Sequence, residues 1–467
     1  MAVNIFYDAA LTKPDRLVLQ NLEKDIKEAL EAQPSEKDSI ETIASSSASS
    51  DDETSSTASG ACVKENSRGG LLAVNKKKAE AGVSLTRDES LIAHLTALND
   101  SASPLFEPTV FNSIDLPDLR TRLPAWANSW LLTPYIRLAT ACVRTETDAV
   151  MFTHLLLYLC TSVPSAALLF RSFSVWHGAL HVAMQVSYVG AYTLLMHQHI
   201  HMRGVLHARL AWLDAVFPYI TNPLMGHTWN SYYYHHVKHH HVEGNGPHDL
   251  SSTLRYQRDD LRHFACYVAR FFFLVWADLP LYFVRKGRWI LAAKTAFWEL
   301  GTYAFYAAMF RVNAQATVFV FLLPLLLMRL GLMVGNWGQH AFVDHEEPDS
   351  DYRSSITLID VPSNRHCFND GYHTSHHLNP LRHWREHPVS FLKGKHVYAS
   401  QHALVFHNID YLMITARLMM KDYETLAKCM IPIGEQIAMT LEERMALLKS
   451  HTKRFTEEEI AERYGDK

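Results

Sequence analysis

The 467-residue chain has no excess of basic residues: 44 Lys and Arg stand against 48 Asp and Glu, a formal net charge of -4. That balance leaves no electrostatic footprint for nucleic acid. Cysteine is sparse. Cys62, Cys142, Cys160, Cys266, Cys367 and Cys429 form no C-x-x-C pair and lack the density of a disulfide scaffold, so they read as reduced thiols. No H-E-x-x-H occurs, which argues against a zincin-type protease. The opening stretch MAVNIFYDAALTKPDR has no apolar core and carries acid early. It resembles neither a secretory signal nor a transit peptide, and membrane targeting is expected to come from internal spans.

What the chain does have is apolar residues, 48% of the total, gathered into a few long runs. Residues 1–32 form an N-terminal region with Leu19, Leu22, Ile26 and Leu30 at helical spacing, which predicts a docking helix with one apolar face. Residues 33–70, with SSSASSDDETSSTAS at their centre, cannot bury enough apolar surface to fold and are expected to be a disordered linker. Residues 71–148 read as a membrane-proximal region of short elements, with Arg120, Arg122, Arg137 and Arg144 ahead of the first span.

A span needs about 20 apolar residues to cross roughly 30 Å of hydrocarbon. Residues 149–170 and 174–196 each meet that length and must form a hairpin. Only Arg171 sits in the turn, against four arginines before it, so the positive-inside rule puts the turn outside and His197 in the cytosol. Three more apolar runs follow, at 264–284, 289–311 and 316–338. An even number of crossings is required if Asn336 and His340 are to return to the side of His197. The run 264–284 carries Arg270, Asp278 and Pro280, with Arg262, Arg285, Lys286 and Arg288 at its ends. It is expected to be an interfacial or re-entrant helix, leaving four true spans. Arg329 lies roughly 16 Å before His340 along a helix, so the last span is expected to continue past the headgroups. The remainder, 391–467, reads as a cytosolic helical tail.

Histidine is what organises the chain. Tyr232 to Asn245 reads YYYHHVKHHHVEGN, and within it His236, His239 and His240 follow H-x-x-H-H, a spacing that shares one face of an α-helix. The same spacing recurs at His373, His376 and His377. His197 with His201, and Asn336 with His340, supply two looser pairs at the ends of apolar runs. Imidazole suits iron, zinc and copper. Nine histidines are too many for one ion and suit two, with adjacent His239 and His240 pointing to different metals.

Other residues read as bystanders. His177 and His181 repeat H-x-x-x-H, but the nearer lies roughly 24 Å from His197 along the second span. His154 and His227 read as packed residues, and His199, His235 and His241 as supporting groups or alternative registers beside the clusters. Tyr232, Tyr233 and Tyr234 read as packing, and Trp176, Trp289 and Trp337 as an interfacial belt. Glu299, deep in the third span, is either a functional acid or the partner of another buried polar group.

The three histidine boxes, HQHIH, HVKHH and HTSHH, together with Asn336-Trp-Gly-Gln-His340, resemble the membrane fatty acid desaturase family over about residues 149–390. The resemblance implies an all-α integral membrane protein with four transmembrane helices plus an interfacial helix, and a cytosolic helical cap holding a histidine-rich dimetal site. It implies His197, His201, His236, His239, His240, His340, His373, His376 and His377 as ligands of two iron ions, with Asn336 bound through water as in the stearoyl-CoA desaturases. It also implies O2 as cosubstrate, electrons from cytochrome b5 or ferredoxin, and a membrane lipid or acyl-CoA substrate; the Ser-rich segment and the lack of a transit peptide favour the endoplasmic reticulum, with the site facing the cytosol. Two departures stand out. The first box is H-x-x-x-H where the stearoyl-CoA enzymes have one residue more, and no H-P-G-G stretch suggests a fused cytochrome b5 domain. A hydroxylase or ketolase on the same scaffold is the alternative activity, and a histidine-rich metal transporter a remote one, since transporters hold ligands near the bilayer midplane.

Overall fold

Thr12 begins the folded chain by accepting a hydrogen bond from the Asp15 amide at 3.2 Å, with Pro14 in the first turn of helix α1 (Lys13–Glu31). This fits the preference of Thr for the N-cap and the tolerance of Pro in the first turn, where its missing N–H is not needed. The computed structural model describes residues 4–32 and 86–465, so the expected linker 33–70 lies outside the described residues. Val18, Leu19, Leu22 and Ile26 of α1 are buried, each side chain contributing about 1.5–3 kcal/mol. They pack with helix α2 (Arg87–Asn99) against residues such as Phe391, Leu392 and Val405. The helix is therefore a docked part of the body, and Asp15 reaches inward to the hydroxyl of Tyr372 (2.8 Å) and the amide of Asn364 (3.1 Å).

By length and apolar composition, four helical stretches among the described residues suit a membrane: Glu146–Arg171, Val175–Met202, Leu261–Arg285 and Ala314–Gln339. The first contains α3 (Ala149–Arg171) and the second is α4 (Val175–Met202), the expected hairpin. The third, α5 (Leu261–Arg285), is the run expected to lie at the interface. The helix expected to cross instead, α6 (Trp289–Val312), falls outside the four, because Lys294, Glu299 and its Trp and Tyr residues lower its hydropathy. Contacts qualify the count. The Tyr267 hydroxyl near the start of α5 bonds Ser251 O at 3.3 Å, and that of Tyr282 near its end bonds Glu243 at 2.6 Å. Both ends of α5 are thus tied to the same short segment after the second histidine cluster. Helix α6 is joined to α7 (Leu323–Gln339) by a Glu299–Arg329 ion pair, and to the turn just before α7 by Tyr306 stacked on Phe321 at 5.2 Å. Glu299 is thus the partner of another buried charge.

The cap is mostly helical but contains a two-stranded parallel sheet, β1 (Ile356–Ile359) with β2 (Leu404–His407), in register at Ile356 and Leu404. Both strands are fully buried, and β1 leads toward α8 (His373–Leu378), which carries the last cluster. Trp176 and Trp289 are exposed, 82% and 65%, as an interfacial belt requires. Trp337 is not part of that belt: it is fully buried and donates its indole N–H to Arg258 O at 3.1 Å.

Candidate metal centre

Remote pieces of chain meet at one end of the long helices. The last turn of α4 brings His197 and His201, the stretch Tyr233–His240 brings the second cluster, and the end of α7 with α8 brings His340, His373, His376 and His377. Two tight all-histidine groups result, His197, His201, His236, His241 and His376 in one and His240, His340, His373 and His377 in the other, and beside them His235, His239 and Asp249 form a third cluster.

In the first group four Nε2 atoms close a square. His197 to His236 is 3.0 Å, His236 to His241 3.1 Å, His241 to His376 2.9 Å and His376 back to His197 3.0 Å. A neutral imidazole nitrogen either donates or accepts, so nitrogens that each touch two others in a closed ring are poorly served by hydrogen bonds alone. Nitrogens held about 2.1 Å from a shared ion at right angles lie about 3.0 Å apart. The Nε2 of His201, the fifth member, is enclosed and has no hydrogen-bond partner. The second group is looser, with His340 to His373 at 3.3 Å and His373 to His377 at 3.0 Å.

Three of the four outer nitrogens of this second group are held from behind; that of His373 is buried without a partner among the described residues. His240 Nδ1 lies 2.7 Å from Asp249, His340 Nδ1 2.7 Å from Ser354 O, and His377 Nδ1 3.5 Å from Asp351. Such acceptors fix the ring and leave Nε2 free for an ion. Burial, and after it the neighbouring imidazoles, hold His236, His241, His373 and His376 well below the usual histidine range. These rings are neutral, the state that binds metal. Burial pushes the Asp249 carboxyl up, but His240 and His239 outweigh it and keep it well below the usual carboxylate range. The donor set, its enclosure and its spacing fit two transition-metal ions bound by nitrogen.

One expected residue is set apart. His239 belongs to neither group; its Nε2 accepts from the Leu250 amide at 2.8 Å and lies 3.4 Å from Asp249. His241 takes the expected place. The cause is local: Tyr233–His240 is a π-helix in which the His241 amide bonds His236 O, so residues five apart line up where an α-helix would align three and four. The other eight expected histidines all fall in the two groups. Five histidines in seven residues leave the register open in the sequence.

The bystanders find other partners. Ser165 holds His177 and His181 at 2.9 Å each, and Gln185 bonds His181 at 3.1 Å. His154 pairs with Tyr158, His199 with Asp214 O, and His227 with Thr193. Asn336 uses its amide nitrogen on Ser251 O and the Tyr267 hydroxyl, both at 2.8 Å, and lines a cavity of about 280 Å³ that opens beside His197, His236, His240 and His373. Its other walls include Leu194, Phe271, Val275, Leu279, Leu332 and Met333.

The fatty acid desaturase family matches residues 171–407, just over half of the chain and the whole of the histidine-bearing region. No curated protein and no solved structure matches the chain. On that match, the chain belongs to the membrane fatty acid desaturase family.

Proposed function

We propose that the protein is a di-iron desaturase acting on a fatty acyl chain carried by a membrane lipid or by CoA. The observation that carries this reading is the pair of all-nitrogen groups opening on one mostly apolar-walled cavity. In the reaction two hydrogens leave neighbouring saturated carbons, and dioxygen, with two electrons and two protons from outside, leaves as two waters. The electrons come from a separate protein of the cytochrome b5 or ferredoxin type. When bound, the irons supply the oxidising power that an unactivated C–H bond requires.

The chain's residues supply the rest. His197, His201, His236, His241 and His376 hold one iron, and His240, His340, His373 and His377 the other, with Asn336 contributing through a water. Asp249, Ser354 O and Asp351 keep the rings of the second set oriented. Leu279, Val275 and Phe271 exclude water from the acyl chain, which matters because water competes for reactive species.

Two sets of contacts support an arrangement in the membrane. Helices α3, α4, α6 and α7 cross, with Glu299 and Arg329 paired where neither could face lipid alone. Helix α5, anchored at both ends to residues 243–251, lies along the face of the bilayer. The metal centre then faces the cytosol, and the endoplasmic reticulum is the expected compartment.

Mass spectrometry of the fatty acids and sphingoid bases of cells with and without the protein tests the activity, with His373→Ala as control. A new product two mass units lighter than its precursor, absent from the control, is expected. A gain of sixteen units would make the protein a hydroxylase.

A further inference from the structure

The polar side chains that line the cavity are of two kinds. Deep among the helices each already has a partner. The Ser231 hydroxyl donates to Glu299 at 2.5 Å, Arg329 pairs with Glu299 and donates to Phe272 O at 3.2 Å, and Thr193 and Thr295 donate to carbonyls of their own helices. Toward a passing hydrocarbon these groups are already satisfied.

Three others beside the histidines keep open hydrogen-bonding capacity. Among the described residues the Tyr232 hydroxyl has no hydrogen-bond partner, although its ring stacks on His236 at 5.2 Å. His235 has none on either nitrogen, and its Nε2 is enclosed. The Asp370 carboxylate, three residues before His373, receives only the Gln339 amide at 3.1 Å. A buried polar atom left without a partner costs about 1–3 kcal/mol; His235 Nε2 is such an atom, and with the open capacity of Tyr232 and Asp370 beside it this end of the wall is poorly matched to a plain methylene chain. The open hydrogen-bonding capacity sits next to the metal centre, so the oxygen it would meet lies near the reacting carbons and not at a distant headgroup.

We propose that the cavity selects a long-chain lipid bearing a hydroxyl or carbonyl oxygen on the chain, close to the carbons that react, and that Tyr232, His235 and Asp370 recognise that oxygen. The inference rests on the cavity being the substrate site. The Tyr232 hydroxyl can donate or accept and the Asp370 carboxyl can accept.

Calorimetric binding to the purified, iron-loaded full chain tests it with two matched pairs of saturated probes. One pair is an N-acyl sphingoid base with a hydroxyl on its third carbon and the analogue lacking that hydroxyl; the other is a 3-hydroxyacyl amide and its plain counterpart. The hydroxylated member of at least one pair is expected to bind about tenfold more tightly, and the pair that discriminates identifies the source. Tyr232→Phe and Asp370→Asn should each reduce the preference about threefold to tenfold, the range of a single hydrogen bond, with affinity for the plain probe unchanged. Equal binding within both pairs, binding of neither member, or variants that weaken both members alike would overturn the proposal. The wild-type comparison decides on its own if the variants lose iron. Tight, oxygen-dependent binding without a desaturated product would leave this inference standing and remove the desaturase reading instead.

Discussion

His236 and His241 bring their Nε2 atoms to 3.1 Å across one turn of a π-helix. That relationship, and not the α-helical spacing of H-x-x-H-H, decides which histidines meet at the first metal group. It makes a direct prediction about neighbouring residues of the same type. His241→Ala should remove one of five nitrogen donors and lower both iron content and turnover, the latter by at least about 100-fold. His239→Ala should keep two irons and lose less than about tenfold. Iron analysis beside a desaturation assay checks both, and the reverse ranking would restore the α-helical register.

Asp249 acts on the second group through His240, at 2.7 Å. Supporting acceptors of this kind are worth about 10–100-fold in metal affinity. Asp249→Ala should therefore weaken iron binding by that factor, and a chelator titration of wild type and variant reads it directly.

Gly331 and Gly335 face the cavity from α7, and a Cβ added at either would meet nothing within 4 Å. Gly331→Phe should thus be accommodated and shorten the space for the acyl chain, where each misfitting methylene is worth about 1–3 kcal/mol. Competition between substrates of graded length should show a shift toward shorter chains. Gly331→Ala, by contrast, should stabilise the helix by up to about 1 kcal/mol.

Burial pushes the Asp15 carboxyl up to about 6, against the favourable bonds from Thr12, Tyr372 and Asn364. The unfolded carboxyl titrates near 3.8, so the folded state holds more protons between those values and loses stability as pH rises through them. The loss is complete above about pH 6 and amounts to roughly 3 kcal/mol. The stability of Asp15→Asn relative to wild type should therefore improve between pH 4.5 and 7, measured by thermal unfolding at each pH.

Much of this was legible in the sequence. Eight of the nine expected histidines converge because their spacing at the ends of apolar runs is itself a consequence of how they are held. The docking helix α1 was readable from Leu19, Leu22 and Ile26, which are buried together. The partner of Glu299 was not, since nothing local ties it to Arg329, thirty positions away. Nor was the placing of His241, rather than His239, beside His236, because five histidines in seven residues fit an α-helical and a π-helical register alike. The parallel strands β1 and β2 are four residues each, too short for their periodicity to stand out from buried helix, and Trp337 looked interfacial only because it follows an apolar run.

The most direct measurement is the iron content of the purified, active full chain, taken together with that of His376→Ala. Two irons per chain are expected in the wild type, with content and turnover both lost when the corner of the nitrogen square at His376 is removed. An active wild-type protein with one metal or none, or a His376→Ala variant that keeps two irons and full turnover, would contradict a dimetal centre built from these two histidine groups.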